Sequence, residues 1–148
     1  MTLDASAPGS LPPRPADGHK GTFGTILVIG GRDDPTSVMA GAPAFAALGS
    51  LRAGAGRAVL CVPRSLATVC LGLVPSATLV PRTTGAEAPD AGVATALAQA
   101  DAVVIGPGLG ASRGNEELLD ASLATGRSVI VDADALPLVA RRSERVRS

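Results

Sequence analysis

The chain has 148 residues, 46% of them hydrophobic and 18% charged. That length suits one domain with a real core, and no apolar run reaches the ~18 residues of a membrane span. Thirteen basic and thirteen acidic residues cancel, and Phe23 and Phe45 are the only aromatics. A global field for DNA, RNA or an anionic membrane is therefore excluded, as are the rings of a base-stacking surface.

Residues 1–18 are rich in Pro, Ser, Ala and Gly and read as a flexible lead-in. Thr25 to Ile29 is an apolar, β-branched run, the signature of a strand covered on both faces. Gly31 to Val38 reads as a polar loop. Ala40 to Ala53 follows as a small-residue helix, with Phe45, Leu48 and Leu51 at helical spacing and Gly54 and Gly56 to stop it. Ala58 to Val62 is a second strand. Ser65 is a candidate cap for a short helix through Val69 to Leu71, and Ala77 to Val80 is a third strand.

After a polar loop from Thr83 to Asp90, the pattern predicts a helix over Ala91 to Gln99 and a strand over Ala102 to Ile105. Gly106-Pro107-Gly108-Leu109-Gly110 is a turn. Asn115 to Thr125 is an amphipathic helix with a Leu118, Leu119 and Leu123 stripe, ended by Gly126. Ser128 to Val131 is the last strand. Its edge is expected to stay open, so self-association, or a chain supplying a missing half, is expected to cover it. Residues 141–148 read as a basic tail. Strands alternating with helices imply an α/β fold with a mostly parallel sheet and helices on both faces.

Two glycine-rich stretches follow or flank buried strands: His19-Lys20-Gly21-Thr22-Phe23-Gly24 running through to Gly30-Gly31, and Gly106 to Gly110. They are expected to share one rim of the sheet, where ligands of parallel sheets bind. Small residues there let a ligand approach the backbone. A helix beginning near Ser112 would aim its free amides and positive dipole end at the second turn, where a phosphate or the polar edge of a ribose could sit. With Ala111 the second run also satisfies the relaxed dinucleotide fingerprint, with Asp132 in the place of the ribose-binding acid. Pro107 and the long spacing to Asp132 count against that reading. Asp132 and Asp134 would share a face if the strand continued, to hold a metal or substrate hydroxyls, whereas capping is the plainer role for Asp134. His19 is the lone histidine, and Lys20 beside it could meet a phosphate, although a solvated loop position is the plainer reading of both. There is no Walker motif, no nucleophile elbow and no zinc or redox cysteine spacing; Cys61 and Cys70 read as buried, reduced thiols. No metal site is expected. No secretory signal is visible, and the expected address is the cytoplasm.

Together these pieces resemble the ADP/ATP-dependent NAD(P)H-hydrate dehydratases of the ribokinase-like superfamily. The matching segments stand in order: His19-Lys20-Gly21 with Gly24, Leu27 to Gly31, Gly41-Ala42, Leu51 to Gly56, Asp101 to Gly110, and Val131 to Leu136. The resemblance implies a three-layer α/β/α fold, here its N-terminal half, over residues 19–140. It implies that the parent family repairs hydrated NADH or NADPH: the terminal phosphate of ADP or ATP, with Mg²⁺, is transferred to the ring hydroxyl, and elimination restores the nicotinamide. It carries substrate binding over to Ala42 and Gly110, with Gly108 and Asp132 beside them. The family's Pro-His-Pro-Gly-Glu-like segment and its Gly-Thr-Gly-Asp motif, whose aspartate is the base and whose glycines form the anion hole, do not occur in this sequence. Catalytic and nucleotide-binding residues are therefore unassigned, and the isolated chain is expected to be impaired. The rival expectations are a non-catalytic pyridine-nucleotide-binding remnant and a Rossmann-type NAD-binding fragment.

Overall fold

The computed structural model describes residues 14–86, 88–110 and 112–147. Five parallel strands form the sheet: β1 (Thr25–Ile29), β4 (Arg57–Pro63), β5 (Thr78–Arg82), β6 (Ala102–Ile105) and β7 (Ser128–Val131), in the order β5-β4-β1-β6-β7. Between β1 and α1 (Gly41–Arg52) a hairpin intervenes, made of β2 (Arg32–Asp34) and β3 (Ser37–Met39). The remaining helices are α2 (Ala67–Leu73), α3 (Ala91–Gln99), α4 (Arg113–Ala124) and α5 (Leu136–Arg147).

The unbroken apolar run of β1 is explained by its central place. Leu27 and Ile29 enter the core beneath α3, α4 and α5, with Val93, Leu97, Leu119 and Leu138. Val28, between them, enters the opposite core with Ala44 and Ala47 of α1 and Cys70 of α2. Period-two alternation thus feeds two cores, and helices cover both faces. On α1 the inward face is Pro43, Ala44 and Ala47, which let the helix lie close to the sheet; Phe45 is 73% exposed. Gly54, at φ +110, ends the helix as expected.

The sequence and the structure part in four places. Residues 32–39 are not an irregular loop but an antiparallel hairpin. Asp34 closes its turn by accepting from the amides of Thr36 (2.8 Å) and Ser37 (3.1 Å). The short helix after β4 is longer than expected. A 3₁₀ turn over Arg64–Leu66 leads into it, and Ser65 makes no cap bond. The third strand starts at Thr78 and runs to Arg82 through Pro81, which an edge strand tolerates because one side of its backbone needs no partner. Residues 141–147, read as a tail, continue α5, and Arg141 (3.6 Å from Glu116) and Arg142 (2.6 Å from Asp120) pair with α4. Most of the expected lead-in, together with Ala111 of the fingerprint, lies outside the described residues.

Two predictions follow from this packing. Leu119, 1% exposed in the core under α4, should cost about 2–5 kcal/mol when replaced by Ala, read as a shift in the denaturant midpoint. Both cysteines are free and buried, and burial pushes the Cys61 thiol up to about 12, with Arg82 pulling more weakly the other way. A raised thiol pKa leaves no thiolate at neutral pH. A disulfide reagent at pH 8 should find neither thiol in the folded chain and both after denaturation.

Candidate functional site

In sheet order, β1 is flanked by β4, its successor in the main sheet, and by β6, which follows much later. Strand order reverses at this pair, and a crevice opens beyond the carboxyl ends of strands placed so. Here a cleft of about 620 Å³ lies at those ends. Its walls come from the segments after β1, β6 and β7 and from the start of α1.

Three of the expected substrate residues line this cleft: Ala42, Gly108 and Asp132. The fourth, Gly110, is in the same turn, and a β-carbon there would stand 3.1 Å from Cδ of Arg32, another lining residue. The glycine turn is a necessity of close packing. Gly106 has φ +125, and a β-carbon on it would run into the Asp132 carbonyl. Gly30 has no room either, because the Pro107 carbonyl occupies that space. Gly31 donates its N–H to the same carbonyl at 3.0 Å.

His19 through Gly24 do not share this rim. They precede β1 and sit at the opposite end of the sheet, where Gly56 and Arg57 donate to the Gly24 carbonyl and Asp101 accepts from the Thr25 amide at 2.8 Å. His19 accepts from the Gly21 amide through Nδ1 (3.1 Å), a local turn bond. The expectation of one shared rim holds for Gly30-Gly31 with Gly106–Gly110 and fails for His19 and Lys20, because parallel strands put their starts and ends at opposite edges.

The N-terminus of the helix behind the turn is crowded. Gly85 and Ala86 crowd the first turn of α4, with the Ala86 carbonyl 2.6 Å from a β-carbon built on Gly114. Among the described residues none of α4 lines the cleft. The amides of the glycine turn are largely engaged as well. Gly106 donates to Ile29 (3.1 Å), Leu109 to Gly106 (3.0 Å), and Gly110 to Asp134 Oδ2 (2.8 Å). This turn is a rigid floor, with few amides left for a phosphate.

Asp132, not Asp134, holds the N-cap position, and the Asp134 carboxylate ties β7's exit to the glycine turn. Asp132 is exposed and faces the cleft, as β7 ends at Val131 and a 3₁₀ turn over Ala133–Ala135 follows. Ala133 has φ +43, a strained left-handed conformation for a residue with a β-carbon, and it lines the cleft. Among the described residues no group of three His, Cys, Asp or Glu is arranged to hold a metal.

Five positions at the cleft or behind its floor escaped the sequence. Arg32 and Met39, cross-strand partners at the open end of the hairpin, both line the cleft. A β-carbon on Gly108 would collide with the Met39 side chain, so the hairpin lies over the turn. Phe45 presents its ring to the same space. Arg82, 4% exposed, donates Nη2 to the Gly31 carbonyl at 2.7 Å. Burial works against its charge, which a guanidinium nonetheless keeps. Asn115, equally buried, donates Nδ2 to the carbonyls of Leu109 and Gly110, both at 2.9 Å. The one available signal was a single arginine closing the apolar run of β5.

A ribokinase-like superfamily protein from Enterococcus faecalis V583 superposes with a TM-score of 0.72 at 24% identity, covering 88% of this chain and 44% of its own, a likeness of fold. The ADP/ATP-dependent NAD(P)H-hydrate dehydratase of Bacillus subtilis, crystallised with ATP and Mg²⁺, gives 0.68 at 32% identity, covering 85% and 43%. In sequence, the chain is 35% identical over 127 residues to the ADP-dependent (S)-NAD(P)H-hydrate dehydratase of Bacillus subtilis (strain 168), covering 86% of this chain and 43% of the relative. The ATP-dependent enzyme of Danio rerio is 33% identical over 136 residues, with 89% and 40% covered. The chain therefore spans less than half the length of these relatives. A family model described as NAD(P)H-hydrate dehydratase matches residues 26–148, and the chain belongs to that family.

Proposed function

We propose that the cleft binds hydrated NADH or NADPH and that the chain contributes this substrate site to ADP- or ATP-dependent dehydration of the damaged cofactor. The observation that carries the reading is the convergence of Ala42, Gly108 and Asp132 on one cleft at the strand-order reversal, with Gly110 in its floor. In this reading the small residues let a planar ring lie against backbone, and Phe45 and Met39 offer it an apolar wall. Asp132 accepts from ribose hydroxyls. The Rossmann-type alternative needs a free helix N-terminus behind the glycines, and the crowding of α4 by Gly85 and Ala86 speaks against it.

The described residues do not fit ADP or ATP with Mg²⁺. They offer no carboxylate cluster, and the glycine turn's donors are mostly taken. No described helix is long and apolar enough to cross a membrane. Two free, buried thiols suit a reducing compartment, and the cytoplasm is our assignment.

Calorimetry should detect binding of hydrated NADH to the chain, whereas turnover with ADP or ATP and Mg²⁺ should be weak or nil, since no described residue forms an anion hole. Asp132→Ala should weaken binding about two- to tenfold, the range of one exposed hydrogen bond. Complete loss would instead favour the Rossmann-type reading, and robust nucleotide-dependent turnover would overturn the division of labour proposed here.

We further propose that β7 is covered in the assembled protein, by a second copy or by a chain completing the sheet. It pairs on one side only among the described residues, and its own Ile130 is 60% exposed. Light scattering should report a species larger than the monomer; a monodisperse monomer at high concentration would refute this.

A further inference from the structure

The β2–β3 hairpin carries a side chain whose setting exceeds what a turn needs. Arg32 is clamped on one edge. Its Nε donates to Ser37 Oγ at 2.9 Å and lies 3.2 Å from Asp34 Oδ2, and its Nη2 donates to the same hydroxyl. Asp34 is itself fixed. The hydroxyl and then the amide of Thr36 hold its carboxyl below the ordinary range, with the Ser37 amide and Arg32 adding to this. The clamp therefore consists of groups that are already ordered.

The third nitrogen, Nη1, takes no part in these bonds. It lies 3.4 Å from the point a Gly110 β-carbon would occupy, over the glycine turn. Arg32 is the one cation among the residues described as lining the cleft, where Asp132 and Asp134 supply negative charge. About a third of its side chain remains exposed. A planar guanidinium held by one edge, with the other edge turned to a cleft, is organised to receive an oxyanion without further ordering.

We propose that Arg32 is a specificity-determining residue of this cleft and that its free edge binds a phosphate oxygen of the dinucleotide. The inference rests on the substrate reading above and adds an orientation to it: phosphate toward the hairpin, ribose hydroxyls toward Asp132. The phosphate is either the pyrophosphate, common to both cofactors, or the extra 2′-phosphate of the NADPH form.

The test is calorimetry of the full chain with hydrated NADH and with hydrated NADPH, comparing the unchanged protein with Arg32→Gln and Arg32→Lys. Circular dichroism sets a temperature at which the proteins are folded. Arg32→Gln should weaken binding about tenfold, the loss of one charge-assisted hydrogen bond, and Arg32→Lys should fall between. An equal loss for both ligands identifies the pyrophosphate; a loss confined to the NADPH form identifies the 2′-phosphate. Undiminished affinity of Arg32→Gln for both ligands overturns the inference and leaves the substrate reading intact. Absence of binding by the unchanged chain overturns both. Should Arg32→Gln not fold, Arg32→Lys decides: it keeps a cation for Asp34 but loses the planar fork. Weakening of about threefold or more then supports the inference, and undiminished binding refutes it.

Discussion

The close approach of two strand exits, Gly30-Gly31 after β1 and Gly106-Pro107 after β6, is the constraint on which the site depends. There is no space between them for a side chain. The Pro107 carbonyl fills the place of a β-carbon at Gly30 and accepts the N–H of Gly31 at 3.0 Å. Gly106 stands as close to the Asp132 carbonyl on its other side. Three consecutive strands of the sheet are thereby drawn together at their carboxyl ends. Ladder hydrogen bonds alone would leave those ends free to splay. The backbone left bare by this packing is the floor on which a ligand can rest.

A floor of bare backbone cannot be fixed by side-chain packing, so polar groups fix it from behind. Arg82 holds the Gly31 carbonyl, Asn115 the carbonyls of Leu109 and Gly110, and Asp134 the Gly110 amide. Each of these side chains comes from a different element: the end of β5, the first turn of α4 and the exit of β7. Burying a guanidinium and an amide is costly, and they persist where a specific backbone shape must be kept. The hairpin then closes the cleft from above. Met39 covers Gly108, and Arg32 lies over Gly110. Rigid floor and side-chain roof thus come from different parts of the chain.

The order of elements was legible because it is written in periodicity. The helix over Ala91–Gln99 and the strands over Ala102–Ile105 and Ser128–Val131 agree with their sequence ranges to the residue. Buried parallel strands leave unbroken apolar runs, and glycines mark helix ends, so local signals suffice there. The hairpin was not legible, because Arg-Asp-Asp-Pro-Thr-Ser has the composition of a loop and becomes a turn only through the Asp34 carboxylate and its amide donors. The outward place of Phe45 was not legible for a related reason: helical spacing cannot say that alanines face the sheet while the larger ring faces a cleft. The rim for His19 was misjudged because adjacency along the chain hid the length of β1, which separates Gly24 from Gly30.

That separation also sharpens the choice between two ways an α/β sheet can bind a dinucleotide. In the Rossmann arrangement the helix after the glycines points its N-terminus at the pyrophosphate, so anion recognition comes from amides and dipole. Here Gly85 and Ala86 stand at that terminus, three of the turn's amides are spent on Ile29, Gly106 and Asp134, and the cation over the turn is the Arg32 side chain of the hairpin. An anionic group bound beside Arg32 is then met from above, by a residue whose position depends on the hairpin of residues 32–39 rather than on the sheet. Such a contact can change between relatives without disturbing the floor, because the hairpin's own hydrogen bonds, among Arg32, Asp34, Thr36 and Ser37, are closed within it. Shape is set by the strands and charge by the hairpin, and the two can vary separately.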